Sequence, residues 1–219
     1  MSKQKDINLK HNVEAELEWD PEVDARRIGV AAEGGVVTLT GHVRSYAEKW
    51  SAEGITKRVY DVQGLANEIE VQLVAGDHLD DADIVQSALS ALKWNLTVPE
   101  GRIQVLATKG FLTLEGEVEW NYQKRAAEHA VRYLRGVRGL SNQVVVKTHI
   151  HAGDVKSKIE AALKRSAEVD SKNVIIETSD GSVTLSGQVR SWAEHDDALG
   201  AAWAAPGVMK VVDRMSISA

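Results

Sequence analysis

Apolar residues recur at every fourth position in three separate stretches of the chain. In the first stretch they are Leu9, Val13 and Leu17, and polar residues separate them. Moving along the chain by 75 residues, and then by a further 71, brings the same pattern into register. The matching residues are Ile84, Ala88 and Leu92, followed by Val155, Ile159 and Leu163. This spacing places the apolar side chains on one helical face, so it predicts an amphipathic helix in each stretch.

Each predicted helix is followed by two segments with strand-like sequence. The first is rich in β-branched residues and ends at an aligned glycine in every copy: Gly35, Gly110 and Gly181. Glycine adopts positive φ without a steric penalty, so a tight hairpin turn is predicted there. The second segment reads Thr-Leu-x-Gly-x-Val at 38–43, 113–118 and 184–189. A glycine between alternating apolar residues indicates a bulge or the close approach of another backbone segment.

A second helix and a last strand complete each copy. Small residues at one aligned position mark the second helix: Ala52, Ala127 and Ala198. The first two strands should form an antiparallel hairpin, and the last strand, returning through a helix, should lie parallel to the second. We predict an α+β fold of three tandem αββαβ modules, each a three-stranded mixed sheet with two helices on one face. The modules span residues 1–75, 76–148 and 149–219.

This repeated pattern resembles the BON family, whose name stands for bacterial OsmY and nodulation. The resemblance is carried by the glycine turn, the Thr-Leu-x-Gly-x-Val strand, the alanine-bearing helix and the last-strand residues Asn67 and Asn142. It extends over nearly the whole chain, and the third copy departs from it with Asp213 in place of Asn. The resemblance implies a non-catalytic module of bacterial envelope or osmotic-stress systems. It also implies binding to anionic phospholipid, to partner proteins or, for some members, to potassium.

Composition excludes several kinds of chemistry. The 219 residues include no cysteine, so disulfides, zinc–thiolate sites and thiol nucleophiles are impossible. The net charge of −6 argues against a nucleic-acid-binding protein, which needs a basic surface. We find no phosphate-binding loop, no Gly-x-Ser-x-Gly elbow and no His-Glu-x-x-His pair, and therefore predict neither enzymatic activity nor a cofactor. Without a secretory leader or a long apolar stretch, the protein is expected in the cytoplasm, where it could attach to a membrane surface.

Two connections between the copies contain residues that could bind a cation. His149 and His151 could share one strand face, but no third ligand lies near them in sequence, which favours an exposed connection. The segment Asp77–Asp83 is acidic but lacks the ligand positions of an EF-hand. We favour a solvated connection in which Asp83 caps the next helix, and a weak potassium or calcium contact is the alternative.

The middle copy has a basic cluster late in its sequence. The three modules have net charges of −4, 0 and −2, and the neutral one concentrates its basic residues in the second helix and the turn after it. The candidate binding residues there are Lys124, Arg125, His129, Arg132, Arg135 and the nearby Trp120. Arg125, His129 and Arg132 are spaced to share one helical face. Such a face suits an anionic lipid surface or an acidic partner protein. The alternative is that Arg132 and its neighbours pair with the acidic first and third modules.

Tryptophan is unusually frequent, with six Trp against one Phe. Trp19 and Trp94 align at the end of the first helix, where the third copy has Arg165. We favour a role for these indoles in covering the end of the sheet. Alternatively, Trp94 with Leu96 and Val98 forms an exposed apolar tip that enters lipid or docks on a partner.

Together these patterns predict a non-catalytic binding protein whose partner is an anionic membrane surface or another protein. A stress or envelope role follows from the resemblance alone. The alternatives are a scaffold that self-associates into a homo-oligomer, and a cation- or small-ligand-binding stress protein that uses the acidic connection.

Overall fold

The structure, a computed structural model, describes residues 3–73, 79–147, 155–166 and 173–218. The first module contains α1 (Lys3–Trp19), β1 (Ile28–Glu33), β2 (Val36–Val43), α2 (Tyr46–Arg58), β3 (Gly64–Asn67) and β4 (Glu70–Val71). The second contains α3 (Asp81–Trp94), β5 (Ile103–Thr108), β6 (Phe111–Val118), α4 (Asn121–Arg132), β7 (Gly139–Asn142) and β8 (Val145–Val146). The third contains α5 (Val155–Arg165), β9 (Val174–Ser179), β10 (Ser182–Val189), α6 (Trp192–Ala204) and β11 (Lys210–Ile217).

A strand of eight residues lies at the centre of each sheet and pairs differently on its two sides. In the first module β2 pairs antiparallel with β1 and parallel with β3 and β4. The second module repeats this arrangement around β6, and the third repeats it around β10 with one continuous last strand. The predicted α+β fold of αββαβ modules is therefore confirmed. The difference is a short interruption of the last strand in the first two modules, between β3 and β4 and between β7 and β8.

The glycine of the Thr-Leu-x-Gly-x-Val segment occupies a position that no other residue could take without strain. Gly116 has φ of +138°, and a β-carbon there would overlap the backbone carbonyl oxygen of Arg102. Gly41 and Gly187 meet the same obstruction in their own modules. The predicted close backbone approach is confirmed, and it fixes the hairpin against the loop that enters its first strand.

Three separate cores form beneath the helices. All nine residues of the predicted first-helix stripes are buried, and so are the three aligned alanines of the second helices. Close helix–helix contact explains the alanines, because α1 packs on α2, α3 on α4 and α5 on α6.

The three modules are arranged in a ring through their second helices. α4 places Arg132 on the ring of Trp50 in α2, with the guanidinium carbon 3.6 Å from the ring centroid. α2 places Lys57 over Trp192 of α6, 5.0 Å from its centroid. α6 in turn packs Trp203 against the core of the second module. Lys57, Arg132 and Trp203 are equivalent positions in the repeat. Each of these three residues contacts the next module, and the three contacts close into a ring, which indicates an approximate threefold rotation between the modules.

Candidate functional site

Arg132, one of the candidate binding residues, lies inside the protein. Its side chain is 9% exposed, stacks on Trp50 and donates from Nη2 to Glu128 Oε1 at 2.8 Å. The alternative reading was that Arg132 and its neighbours pair with the acidic first and third modules. Arg132 does contact the first module, but through the ring of Trp50, and its ion pair is with Glu128 of its own helix. Arg132 is buried because the face of α4 that carries it packs on the first module.

The other basic residues of the cluster are more accessible. Arg125, His129 and Arg135 are exposed, and the imidazole of His129 packs edge-on against Tyr133 with ring centroids 5.5 Å apart. Lys124 is half-buried, and burial lowers its pKa while the Glu128 carboxylate partly opposes that shift. The cluster is thus divided between an exposed group and one buried arginine.

Arg125 lies at a cleft between the second and third modules. The cleft has a volume of about 540 Å³. Its lining residues are Trp120, Asn121, Tyr122, Arg125, Gly200, Trp203 and Ala204. The rings of Trp120 and Tyr122 stack with centroids 6.5 Å apart and form one wall. The sequence identified Trp120 and Arg125 as candidates. It did not identify the contribution of the third module, because nothing in the sequence shows which modules are neighbours.

A second exposed feature is the apolar tip at the end of α3. Trp94 is 86% exposed and Leu96 is 100% exposed, whereas Val98 is buried. The tip does not cover the end of the sheet, as one reading of the sequence allowed. Asn95 holds the tip in place: its Nδ2 donates to Ala126 O at 3.4 Å, and its Oδ1 accepts from Thr97 N at 3.0 Å.

The corresponding ends of the other first helices carry similar side chains. Trp19 at the end of α1 is 84% exposed, and Arg165 at the end of α5 is also exposed. The threefold relation between modules places these three positions on one side of the ring. We call the set Trp19, Trp94, Leu96 and Arg165 the tip face.

The acidic connection that could have bound a cation is engaged in capping. Asp80, and not Asp83, is the N-cap of α3, and its Oδ1 accepts from Asp83 N at 2.8 Å. Asp81 accepts from the backbone of the hairpin turn, Lys109 N and Gly110 N, each at 2.8 Å. Asp77 lies outside the described residues, as do His149 and His151. Within the described ranges, no three His, Asp or Glu side chains are grouped so that they could hold a metal ion.

The third module contains an ionisable pair, between buried His195 and the more exposed Asp213, that the sequence patterns did not reveal. His195 Nε2 lies 2.7 Å from Asp213 Oδ2, and its Nδ1 lies 3.2 Å from Asp196 Oδ1. Hydrogen bonding to Asp196 and then to Asp213 raises the pKa of His195, against the opposing effect of burial. Asp213 was visible as a departure from Asn, but its partner was not. The repeat alignment could have revealed the pair, because His195 aligns with Lys49 and Lys124. The change from Lys to His and the change from Asn to Asp occur together in the third copy.

Comparison with known proteins gives a consistent result. The model of the BON domain matches residues 5–72, 80–148 and 151–219, which is nearly the whole chain. The chain belongs to the BON domain family. Among BON relatives, Osmotically-inducible protein Y of Escherichia coli (strain K12) is 35% identical over 148 residues, covering 62% of this chain and 72% of that protein.

Solved structures offer weaker similarity to this BON protein. One structure of CdsD, a structural protein of the type III secretion system of Chlamydia trachomatis, has 16% identity and a TM-score of 0.26, covering 95% of this chain and 91% of that one. A second, of the CdsD C-terminal domain, has 16% identity and a TM-score of 0.27, covering 97% and 98%. Neither score supports a shared overall architecture. The helices of the described residues are all too short or too polar to cross a membrane.

Proposed function

We propose that this BON protein is a non-catalytic peripheral binder of anionic phospholipid surfaces that acts in the response to osmotic stress. The stress role is taken from the name of its Escherichia coli relative, which is osmotically inducible. The site of binding is the tip face. The single observation that carries the proposal is the exposure of Trp94 and Leu96 at the end of α3.

The chemistry of the tip face fits the boundary between lipid headgroups and acyl chains. Indole rings prefer this boundary because they combine a large apolar surface with one N–H donor. Two indoles on one side of the ring could enter the same membrane surface together. A fully exposed leucine between the helix end and the next strand adds apolar area at no cost to the core.

The charges beside the tryptophans favour an anionic surface. Lys93 precedes Trp94 and Lys164 precedes Arg165, and all three basic side chains are exposed. Each basic residue near an anionic membrane contributes about 1 kcal/mol. Glu18 beside Trp19 opposes this attraction. We therefore expect the second and third modules to contribute more to membrane binding than the first.

Co-sedimentation with vesicles tests the proposal. Wild-type protein should pellet with phosphatidylglycerol–phosphatidylcholine vesicles and stay in solution with phosphatidylcholine alone, and pelleting should weaken as salt rises. Trp94→Ala should reduce the apparent affinity about tenfold, since one large apolar side chain no longer leaves water.

A matched pair of variants controls for general hydrophobicity. Leu96→Ser removes an exposed leucine from the tip, and Leu106→Ser removes another, 49% exposed, from β5. The proposal requires Leu96→Ser to weaken vesicle binding and Leu106→Ser to leave it unchanged. Equal effects of the two, or no selectivity for phosphatidylglycerol, would contradict it.

Self-association is a second candidate that one observation favours. Both helices cover a single face of each sheet, and the other face leaves large apolar side chains exposed, among them Phe111 (58%) and Ile175 (59%). Pairing of such faces would bury them. Sedimentation velocity at increasing concentration distinguishes the candidates: a constant monomer mass rules out self-association, and a rising mass supports it.

A further inference from the structure

We propose that the cleft between the second and third modules binds a small apolar acid, a molecule with a flat hydrocarbon body and one carboxylate, sulfonate or phosphate group. This site is separate from the tip face. It depends neither on a membrane nor on the function proposed above.

The residues that line the cleft differ from those at the equivalent positions of the other modules. On the α4 side, Trp120 and Tyr122 are large. The corresponding residues of the other modules are small: Ser45 and Ala47 in the first, and Ser191 and Ala193 in the third. On the α6 side, Gly200 and Ala204 are small where the second module has His129 and Tyr133. Aromatic walls thus face an opening that no side chain fills.

The size and lining of the cleft define the body of the ligand. A volume of about 540 Å³ is within the usual range of small-molecule sites, which often lie between domains. Trp120, Tyr122 and Trp203 present ring surfaces, and the rings of the first two are inclined by only 27°. Flat walls of this kind favour a planar apolar group that stacks on them.

The positive charge of Arg125 at the cleft indicates that the ligand also carries an anionic group. Arg125 is exposed, and within the described part of the chain its guanidinium forms no hydrogen bond or ion pair. The residues that line the cleft include no carboxylate. Arg125 also acts on Asp196, whose pKa is lowered chiefly by His195 and to a smaller extent by Lys57 and Arg125. A planar guanidinium with free donors suits a carboxylate, sulfonate or phosphate.

Titration with a fluorescent probe tests the site. The probe is 8-anilinonaphthalene-1-sulfonate, which combines a flat naphthalene ring with a sulfonate group. Its displacement is measured with 2-naphthoate and with uncharged 2-naphthamide. We expect saturable binding that 2-naphthoate displaces at about tenfold lower concentration than 2-naphthamide does. Arg125→Gln should remove this preference, whereas Arg214→Gln, on the open face of the third sheet, should preserve it.

A cleft-filling variant and its equivalent in another module locate the site. Nothing lies within 4 Å of a β-carbon added at Gly200 or at Gly54, the same helical position in the first module. Gly200→Leu should therefore fold normally, fill the cleft and abolish binding, whereas Gly54→Leu should bind the probe as wild type does. An unchanged melting temperature or a higher one shows that each variant is folded, because leucine favours a helix over glycine.

Three outcomes would overturn the proposal. They are the absence of saturable binding to the wild type, equal displacement by the acid and the amide, and probe binding that survives Gly200→Leu. None of them bears on vesicle binding through the tip face, and loss of vesicle binding in Trp94→Ala would leave probe binding intact.

Discussion

The first two modules and the third hold their last strands against the second helix by different chemistry. In the second module, Asn142 Nδ2 donates to Lys124 O at 3.0 Å and to Glu128 Oε2 at 3.3 Å. Asn67 makes the corresponding bonds to Lys49 O and Glu53 Oε2, each at 3.4 Å. In the third module the same position is Asp213, and it bonds to the ring of His195. An amide that does not titrate has been replaced by an ionisable pair, although the backbone is the same.

This difference gives the third module a titratable side chain at a position where the other two modules have an amide contact. His195 also packs edge-on against Trp192, with ring centroids 5.2 Å apart, and Trp192 receives Lys57 of the first module. The charged groups that influence the pair are Asp196 and Asp213, with Lys57 and Arg125 acting on Asp196. A change in the charge of His195 therefore affects the contact between Trp192 and Lys57, which joins two modules. Asparagine does not titrate, so Asn67 and Asn142 cannot have such an effect.

The largest expected effect comes from breaking the third-module pair. His195→Ala leaves Asp213 without its imidazole partner beneath α6 and removes the packing on Trp192. We expect the free energy of unfolding of the third module to fall by about 2 kcal/mol near pH 6, from the lost hydrogen bonds and the lost packing. Chemical denaturation followed by Trp fluorescence measures it, and a loss below about 1 kcal/mol would show that the pair contributes little.

Breaking the equivalent amide contact should cost less. Asn142→Ala removes the amide's bonds to Lys124 O and to the Glu128 carboxylate from a half-buried site. Because the variant removes no ionisable group, we expect a loss of about 1 kcal/mol that is the same at pH 5.5 and pH 8. The same denaturation experiment measures this loss. A pH-dependent loss would contradict the distinction between the modules.

The smallest and most specific effect is the pH dependence itself. Because the pKa of His195 is raised in the folded protein above its ordinary value of 6.5, protonation stabilises the third module. This stabilisation is complete below pH 6.5 and is lost as the pH rises through the raised folded pKa. At the acid end, the lowered pKa of Asp196 gives a contribution that is present above its ordinary value of 3.8 and lost as the pH falls below it. Stability of the third module should therefore be greatest between these limits.

A variant with the residues of the other modules sharpens the same comparison. His195→Lys/Leu199→Glu/Asp213→Asn reproduces in the third module the residues found in the first two. Thermal unfolding from pH 6 to pH 8.5 should then lose the decline that the wild type shows. If the wild type itself shows no decline over this range, or if the variant retains it, the assignment to His195 is wrong.

The repeat made the fold predictable, because each element was observed three times. The spacing of Leu9, Val13 and Leu17 predicted one buried face, and the aligned glycines predicted the turn and the close approach at Gly116. Local sequence decides these features, since they depend on helical periodicity and on φ. The interruption of the last strand near Asn67 was not predicted, because the alternating apolar pattern continues through it without a break.

The candidate site was less predictable because it depends on contacts between modules. Helical spacing put Arg125 and Arg132 on one face, but the ring buries Arg132 on Trp50 and leaves Arg125 at the cleft. No local pattern contains that information. The exposure of Trp94 was one of two readings of the sequence, and only the packing of the helix end distinguished between them.

Quenching of tryptophan fluorescence by brominated phosphatidylglycerol tests the proposed membrane function most directly. Bromines placed near the top of the acyl chains should quench wild-type emission on vesicle binding. In the Trp19→Phe/Trp94→Phe variant, which retains aromatic rings at the tip face, the protein should still bind but the quenching should disappear. Quenching that persists in this variant, or vesicle binding by the wild type without quenching, would contradict insertion of the tip face.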